Sequence, residues 1–82
     1  MSVVLVVGAA EELVADALAR AGADGGVFVL DPSAERLAEL ERSRPDPRIW
    51  YLVGDADVIP LPSASVDSAL GSSSPDVERV LR

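Results

Sequence analysis

The sequence predicts an α/β fold in which four mostly parallel strands lie in the order 3-2-1-4 with flanking helices, and residues 1–82 form a single domain. The first observation is the run Val3–Val7, five apolar residues of which four are β-branched, which fits a strand buried on both faces. The second is the change after Gly8 from strand spacing to helical spacing. The third is the repetition of this strand-then-helix pattern, which with right-handed crossovers gives the strand order.

The other elements follow the same pattern in chain order. Helix 1 is predicted over residues 12–21, where apolar side chains recur on one face and Gly22 supplies a C-terminal stop. Ser33 is predicted to cap helix 2, and Pro45 lies beyond its end. Residues 54–65 are predicted to form a loop without a helix. The remaining predicted elements are strands at 27–30, 49–53 and 65–70 and helices at 34–42 and 76–82.

Composition and charge restrict the class of protein. The net charge of −7 argues against nucleic acid or an anionic membrane as the main partner. The chain has no cysteine and no histidine, which excludes disulfides, zinc sites built on those residues and an imidazole base, and we expect no metal. The first apolar run is too short to span a bilayer and follows no basic segment, so a cytoplasmic protein is expected.

Two aspartates follow predicted strands at the edge of the sheet where a ligand would bind. Asp31 ends strand 2 beside the loop after strand 1, where a carboxylate can accept hydrogen bonds from both hydroxyls of a ribose. The alternative is that Asp31 supports the start of helix 2. Asp55 follows strand 3, where it can accept a hydrogen bond from the exocyclic amine of a base, and the alternative is an ordinary turn aspartate. Ligands bind above the switch point of such sheets, here between strands 1 and 4.

Three segments together resemble class I S-adenosylmethionine-dependent methyltransferases. Residues 4–8 (VLVVG) are similar to the family's first strand and glycine, and residues 29–33 (VLDPS) to its second strand with a ribose-binding acid. Residues 54–67 (GDADVIPLPSASVD) are very similar to the family's segment from the adenine-contacting loop into strand 4. The resemblance extends to about Leu70. It implies a truncated Rossmann-like, methyltransferase-type sheet from which the C-terminal half of the family fold is absent.

The resemblance also implies a site for S-adenosylmethionine. The family's acid after strand 2 carries over to Asp31, and its adenine-contacting acid and the backbone of the next residue carry over to Asp55 and Ala56. With the first loop included, the implied cofactor-binding residues are Gly8, Ala9, Asp31, Pro32, Asp55 and Ala56. The resemblance assigns no catalytic residue and no metal ligand.

The first loop departs from the family pattern. The family's loop is rich in glycine because its backbone passes close to the methionine portion of the cofactor. Here the loop is Gly8-Ala9-Ala10-Glu11-Glu12, and the usual acid within strand 1 is Val6. The side chain of Glu12 would crowd the site, and its charge would oppose the cofactor's carboxylate but attract its sulfonium. The alternative is that Glu11 and Glu12 serve only the helix dipole.

The resemblance ends before the family's later strands and most of its substrate pocket, and no residue stands out as a general base. We therefore favour a methyltransferase-like protein that is catalytically incompetent by itself and that keeps a nucleoside-shaped site or only its scaffold. One alternative is a working methyltransferase that is completed by another chain. Another is a small dimeric regulatory or scaffolding module without a ligand. Titration with S-adenosylmethionine and S-adenosylhomocysteine distinguishes these functions.

The sequence further predicts a homodimer. The segment between strands 3 and 4 is a loop, so one sheet face is expected to be covered at best by residues 76–82. The strands are apolar on both faces, and an uncovered face would exceed the apolar patch usual on a soluble monomer. Strand 4 is also expected to be a bare edge. Packing of the uncovered faces of two copies, or pairing of their strand 4 edges, would remove these defects.

Overall fold

The computed structural model describes residues 2–82. These residues form four strands and three helices, which alternate except between the last two strands. In chain order the elements are β1 (Val3–Val7), α1 (Glu11–Ala21), β2 (Gly26–Asp31), α2 (Ala34–Ser43), β3 (Ile49–Val53), β4 (Ser68–Gly71) and α3 (Pro75–Val80). None of the helices in the described part of the chain is long and apolar enough to cross a membrane.

The four strands form one parallel sheet in the order β3-β2-β1-β4, which confirms the predicted α/β fold and strand order. Val7 pairs with Leu30 on one side of β1 and with Gly71 on the other. The chain therefore leaves β1 and β4 at the same edge of the sheet. This places the first loop, which begins at Gly8, beside the segment that follows β4.

The helices begin and end where local chemistry favours it. Acidic side chains occupy the first turn of α1 and Arg20 occupies its last turn, as the helix dipole favours. Gly22 ends α1 with a φ of 75°, a left-handed conformation that suits glycine. The Ser33 hydroxyl accepts a hydrogen bond of 3.3 Å from the backbone N–H of Arg36, so the predicted cap of α2 is confirmed.

The predicted strand 4 starts too early. It was expected over 65–70, whereas β4 starts at Ser68. The backbone N–H groups of Ser65 and Val66 donate instead to the carbonyl of Val80, at 2.8 and 2.9 Å. Ser65 and Val66 are thus held by the end of α3, and hydrogen bonding to β1 begins at Asp67, whose N–H donates to the carbonyl of Val3 at 2.7 Å.

The first sheet face is covered by α1 and α2. Their inward side chains meet the alternate residues of the three strands beneath them, as expected for helices that follow successive parallel strands. This core consists of Val4, Val6, Val14, Ala17, Leu18, Ala21, Val27, Val29, Leu37, Leu40 and Ile49.

The second sheet face is covered by α3 and by the loop between β3 and β4. Ile59 and Val66 of that loop are buried together with Val77 and Val80 of α3. The expectation that residues 76–82 at best would cover this face is therefore wrong. The loop lacks a helix, as predicted, yet its apolar side chains pack on the sheet.

Part of the second face remains exposed near β3. The rings of Phe28 and Trp50 are stacked with their centroids 5.3 Å apart, and Trp50 is 52% exposed. We call these two residues the aromatic pair. The exposed apolar surface of the aromatic pair lies toward the β3 edge of this face.

Candidate functional site

A cleft of about 250 Å³ lies at the carboxyl ends of the strands. It opens beside the switch point between β1 and β4, the position where sheets of this type bind ligands. Its walls combine apolar side chains, loop backbone and two polar side chains. The lining residues are Val7, Gly8, Leu30, Pro32, Gly54, Asp55, Ala56 and Ser72.

The backbone at this edge is shaped by two glycines. Gly8 has a φ of 112° and donates its N–H to the carbonyl of Leu30 at 2.7 Å, which turns the chain from β1 toward α1. Gly71 has a φ of 94°, and a Cβ at that position would collide with the backbone of Val7. The close approach of the ends of β1 and β4 therefore depends on a residue without a side chain.

Asp31 lies beneath the cleft and is only 2% exposed. One carboxylate oxygen accepts the backbone N–H of Ala9 at 2.9 Å, and the other accepts the N–H of Ser33 at 2.8 Å. A guanidinium nitrogen of Arg36 lies 3.7 Å from the first oxygen. The carboxylate thus joins the end of β2 to the first loop and to the start of α2, which is the structural role that the sequence left open.

Asp55 lies at the rim of the cleft and stabilises its own turn. Its Oδ1 accepts the backbone N–H groups of Asp57 and Val58 at 2.9 and 3.2 Å. This is the geometry of a turn aspartate, the alternative that the sequence left open. Its Oδ2 accepts no hydrogen bond from residues 2–82. This second oxygen can therefore accept a hydrogen bond from a ligand.

The loop that carries Asp55 is fastened to α3. The Ser74 hydroxyl donates to the carbonyl of Ala56 at 2.6 Å, and Asp76 accepts the N–H of Ile59 at 2.6 Å. Arg79 donates to Asp76 and, at 2.9 Å, to the carbonyl of Ile59. The hydrogen bond from the Arg79 side chain, with that from the Ile59 backbone, lowers the pKa of Asp76 to about 2. These contacts fix one wall of the cleft.

A second cleft of about 310 Å³ lies between α1 and α2. It is lined by Ala9, Leu40, Ser43 and three charged side chains of the two helices. The Ser43 hydroxyl donates to Glu11 at 2.7 Å across this groove. It lies away from the switch point, so we assign the candidate site to the first cleft.

The six predicted cofactor-binding residues thus separate into two groups. Gly8, Pro32, Asp55 and Ala56 line the cleft at the switch point. The Asp31 carboxylate is buried below it, and Ala9 lines the groove between the helices. Cofactor binding by all six stays a prediction.

Ser72 was missed among the candidate site residues. It follows β4 directly, so its position at the carboxyl end of a switch-point strand is the signal that could have identified it.

In the described part of the chain, no group of three acidic side chains lies close enough to hold a metal ion.

Comparison with known families agrees with this geometry. The family model described as a methyltransferase domain matches residues 5–81, which includes the whole sheet apart from its first two residues and every residue of the cleft. No curated protein and no solved structure matches the chain. With a parallel sheet in the order β3-β2-β1-β4 and a family match over nearly its full length, the chain belongs to the methyltransferase domain family.

Proposed function

We propose that this methyltransferase-like domain binds the nucleoside part of S-adenosylmethionine in the cleft at the switch point and does not transfer a methyl group by itself. The observation that carries the proposal is the position of the cleft. It lies at the switch point, and it is lined by four of the residues that the family resemblance assigns to the cofactor. The family in general binds S-adenosylmethionine, which supports the same ligand class.

The lining residues suit a neutral heterocycle. Val7, Leu30 and Pro32 offer apolar contact to the face of a ring. The Oδ2 of Asp55 can accept a hydrogen bond from an exocyclic amine, and the Ser72 hydroxyl can donate or accept one. The N–H of Ala56 lies in the loop that Ser74 holds, which supports a fixed geometry for recognition of a base.

Methyl transfer requires more than this cleft offers. A catalyst of this class positions a methyl acceptor and in many cases removes its proton with a nearby base. Among the described residues that line the cleft, Asp55 is the sole residue with a titratable side chain. Its Oδ1 already accepts two backbone N–H groups. This supports a binding domain rather than a complete catalyst.

Calorimetric titration of the chain with S-adenosylhomocysteine tests the proposal. We expect binding by the unmodified chain and its loss in Ser72→Phe, since the ring would occupy the cleft. Ser73→Phe is the matched control, because Ser73 is the exposed neighbour and does not line the cleft. Asp31→Ala is unsuitable for this purpose because the Asp31 carboxylate supports the fold.

Two results would contradict the proposal. Absence of heat at millimolar ligand would leave only the scaffold function. Turnover of S-adenosylmethionine to S-adenosylhomocysteine by the chain alone, with a methylated product, would show that the domain is a complete catalyst.

We also propose that the chain forms a homodimer through the aromatic pair. Trp50 is half exposed and stacks on Phe28, so the exposed ring surface is continuous with the packed second face. In a two-fold contact the same patch would face its own copy, and aromatic rings gain from mutual burial. This contact would use the β3 side of the second sheet face, which the sequence predicts to be largely uncovered.

A further inference from the structure

We propose that the cleft takes a nucleoside alone and leaves outside it any amino-acid or phosphate group attached at the 5′ carbon of that nucleoside. The ligand class is a neutral adenine nucleoside or its 5′-thioether. This inference rests on the proposed function and narrows it, because it separates the nucleoside part of S-adenosylmethionine from its methionine part.

The first step is that the amides of Gly8, Ala9 and Ala10 in the first loop are already used. The N–H of Ala9 donates to the buried carboxylate of Asp31 at 2.9 Å. The N–H of Ala10 donates to the carbonyl of Gly8 at 2.9 Å, and that of Gly8 donates to Leu30 at 2.7 Å. A ligand carboxylate or phosphate needs free N–H donors or cations. These three amides cannot serve without breaking internal hydrogen bonds.

The second step concerns charge beside the cleft. Glu12 is exposed in the first turn of α1, whereas Glu11 lines the groove between α1 and α2. The negative charge of Glu12 opposes an anionic ligand group at the start of this helix, which would otherwise attract one. None of the residues that line the described cleft is cationic. An amino-acid carboxylate or a 5′-phosphate would therefore find no complementary charge there.

The third step is size. A volume of about 250 Å³ lies below the roughly 300–1,000 Å³ of sites that enclose a drug-sized ligand. The walls that set this volume are fixed, since Gly71 lies against Val7 and α3 fastens the loop of Ala56. The space suits a base and a sugar and leaves a longer ligand projecting into solvent.

The structure therefore predicts that affinity resides in the nucleoside. A neutral or zwitterionic group added at the 5′ position contributes no further contact. A group of net negative charge there lowers the affinity, because no cation lines the cleft and the charge of Glu12 repels the group. The three probes that separate these effects are 5′-methylthioadenosine, S-adenosylhomocysteine and adenosine 5′-monophosphate.

Titration of the full chain with the three probes tests the inference. We expect the dissociation constants of 5′-methylthioadenosine and S-adenosylhomocysteine to agree within about threefold, and adenosine 5′-monophosphate to bind about tenfold more weakly or worse. Ser72→Phe should weaken the first two equally, with Ser73→Phe as the control.

Some results would overturn the inference alone, and others would overturn the proposed function as well. If S-adenosylhomocysteine binds about tenfold or more tightly than 5′-methylthioadenosine, the inference is overturned while the proposed cofactor site stands. Equal binding of adenosine 5′-monophosphate and 5′-methylthioadenosine also overturns it. If none of the three probes binds, both the inference and the proposed function fail.

Discussion

The carboxylate of Asp31 accepts a hydrogen bond of 2.9 Å from the backbone N–H of Ala9, a residue 22 positions earlier in the chain. This contact joins the two loops that frame the cleft, at the ends of β1 and β2. Asp31 is almost fully buried, and its carboxylate supports the loop that carries Gly8. The contact with a ribose that the family resemblance implies stays a prediction.

Asp31→Asn should destabilise the fold. The amide places an NH₂ group where a backbone N–H now finds an acceptor, and a buried polar group without a partner costs roughly 1–3 kcal/mol. Urea denaturation followed by circular dichroism measures the loss. Asp24→Asn is the control, because Asp24 lies exposed in the loop after α1 and should change stability by less than about 0.5 kcal/mol. Equal stability of both variants would refute the structural role.

Asp76 should make stability fall with acid. Its pKa is lowered to about 2 from the ordinary value of 3.8, mainly by the side-chain hydrogen bond from Arg79. A carboxyl group whose folded pKa is lowered stabilises the fold above its unfolded pKa, and this contribution is lost as pH falls through the folded value. The contribution is therefore complete above about pH 4 and disappears toward pH 2.

Asp76→Asn tests this dependence. The variant should be less stable than the unmodified chain at neutral pH, and the difference should shrink between pH 4 and pH 2. Denaturation midpoints measured across that range check the expectation. A difference that is independent of pH would show that the Asp76 charge has no part in holding α3 to the loop.

Ala64→Gly should be neutral or stabilising. Ala64 has a φ of 55°, a left-handed conformation that costs a residue with a Cβ about 1–2 kcal/mol. Glycine removes that strain but adds freedom to the unfolded chain, so the net gain is about 0–1 kcal/mol. Ala19→Gly, at an exposed position within α1, should instead destabilise by about 1 kcal/mol. Thermal melts of both variants give the comparison, and a similar loss in both would contradict the prediction.

Trp50→Gln should abolish self-association. Light scattering at micromolar concentration should give the unmodified chain a mass near twice 8.5 kDa and the variant a mass near 8.5 kDa. Val58→Gln is the control, since Val58 is 74% exposed but lies on the loop after β3 rather than in the aromatic pair. A single-chain mass for the unmodified protein, with a cooperative melt, would overturn the homodimer.

Much of the fold could be predicted because the strands carry their own signal. Apolar residues at consecutive positions, as in Val3–Val7, require cover on both faces and so favour a parallel sheet. Ser33 at the start of α2 is equally local, since a cap depends on residues within one turn. The cleft at the switch point follows from strand order alone.

The rest depends on contacts between distant segments. Residues 54–64 have neither a helical nor a strand period, so their sequence gives no sign that Ile59 is buried. Ile59 is held by Asp76, which lies 17 positions later. The structural role of Asp31 could not be predicted either. A carboxylate that accepts backbone N–H groups and one that accepts ligand hydroxyls have the same sequence signature.

The central position of β1 has a kinetic consequence. Its partner β2 follows after one helix, but the contact between Val3 and Asp67 spans 64 positions. Closing so long a loop is entropically costly, and folding slows as contacts become less local. The core of the second face contains both Leu5 and Val80, so we expect it to form last. During synthesis or refolding, we therefore expect the paired strands β1 and β2 to expose one apolar face until the core of the second face has formed. The chain should be most prone to aggregate in this interval.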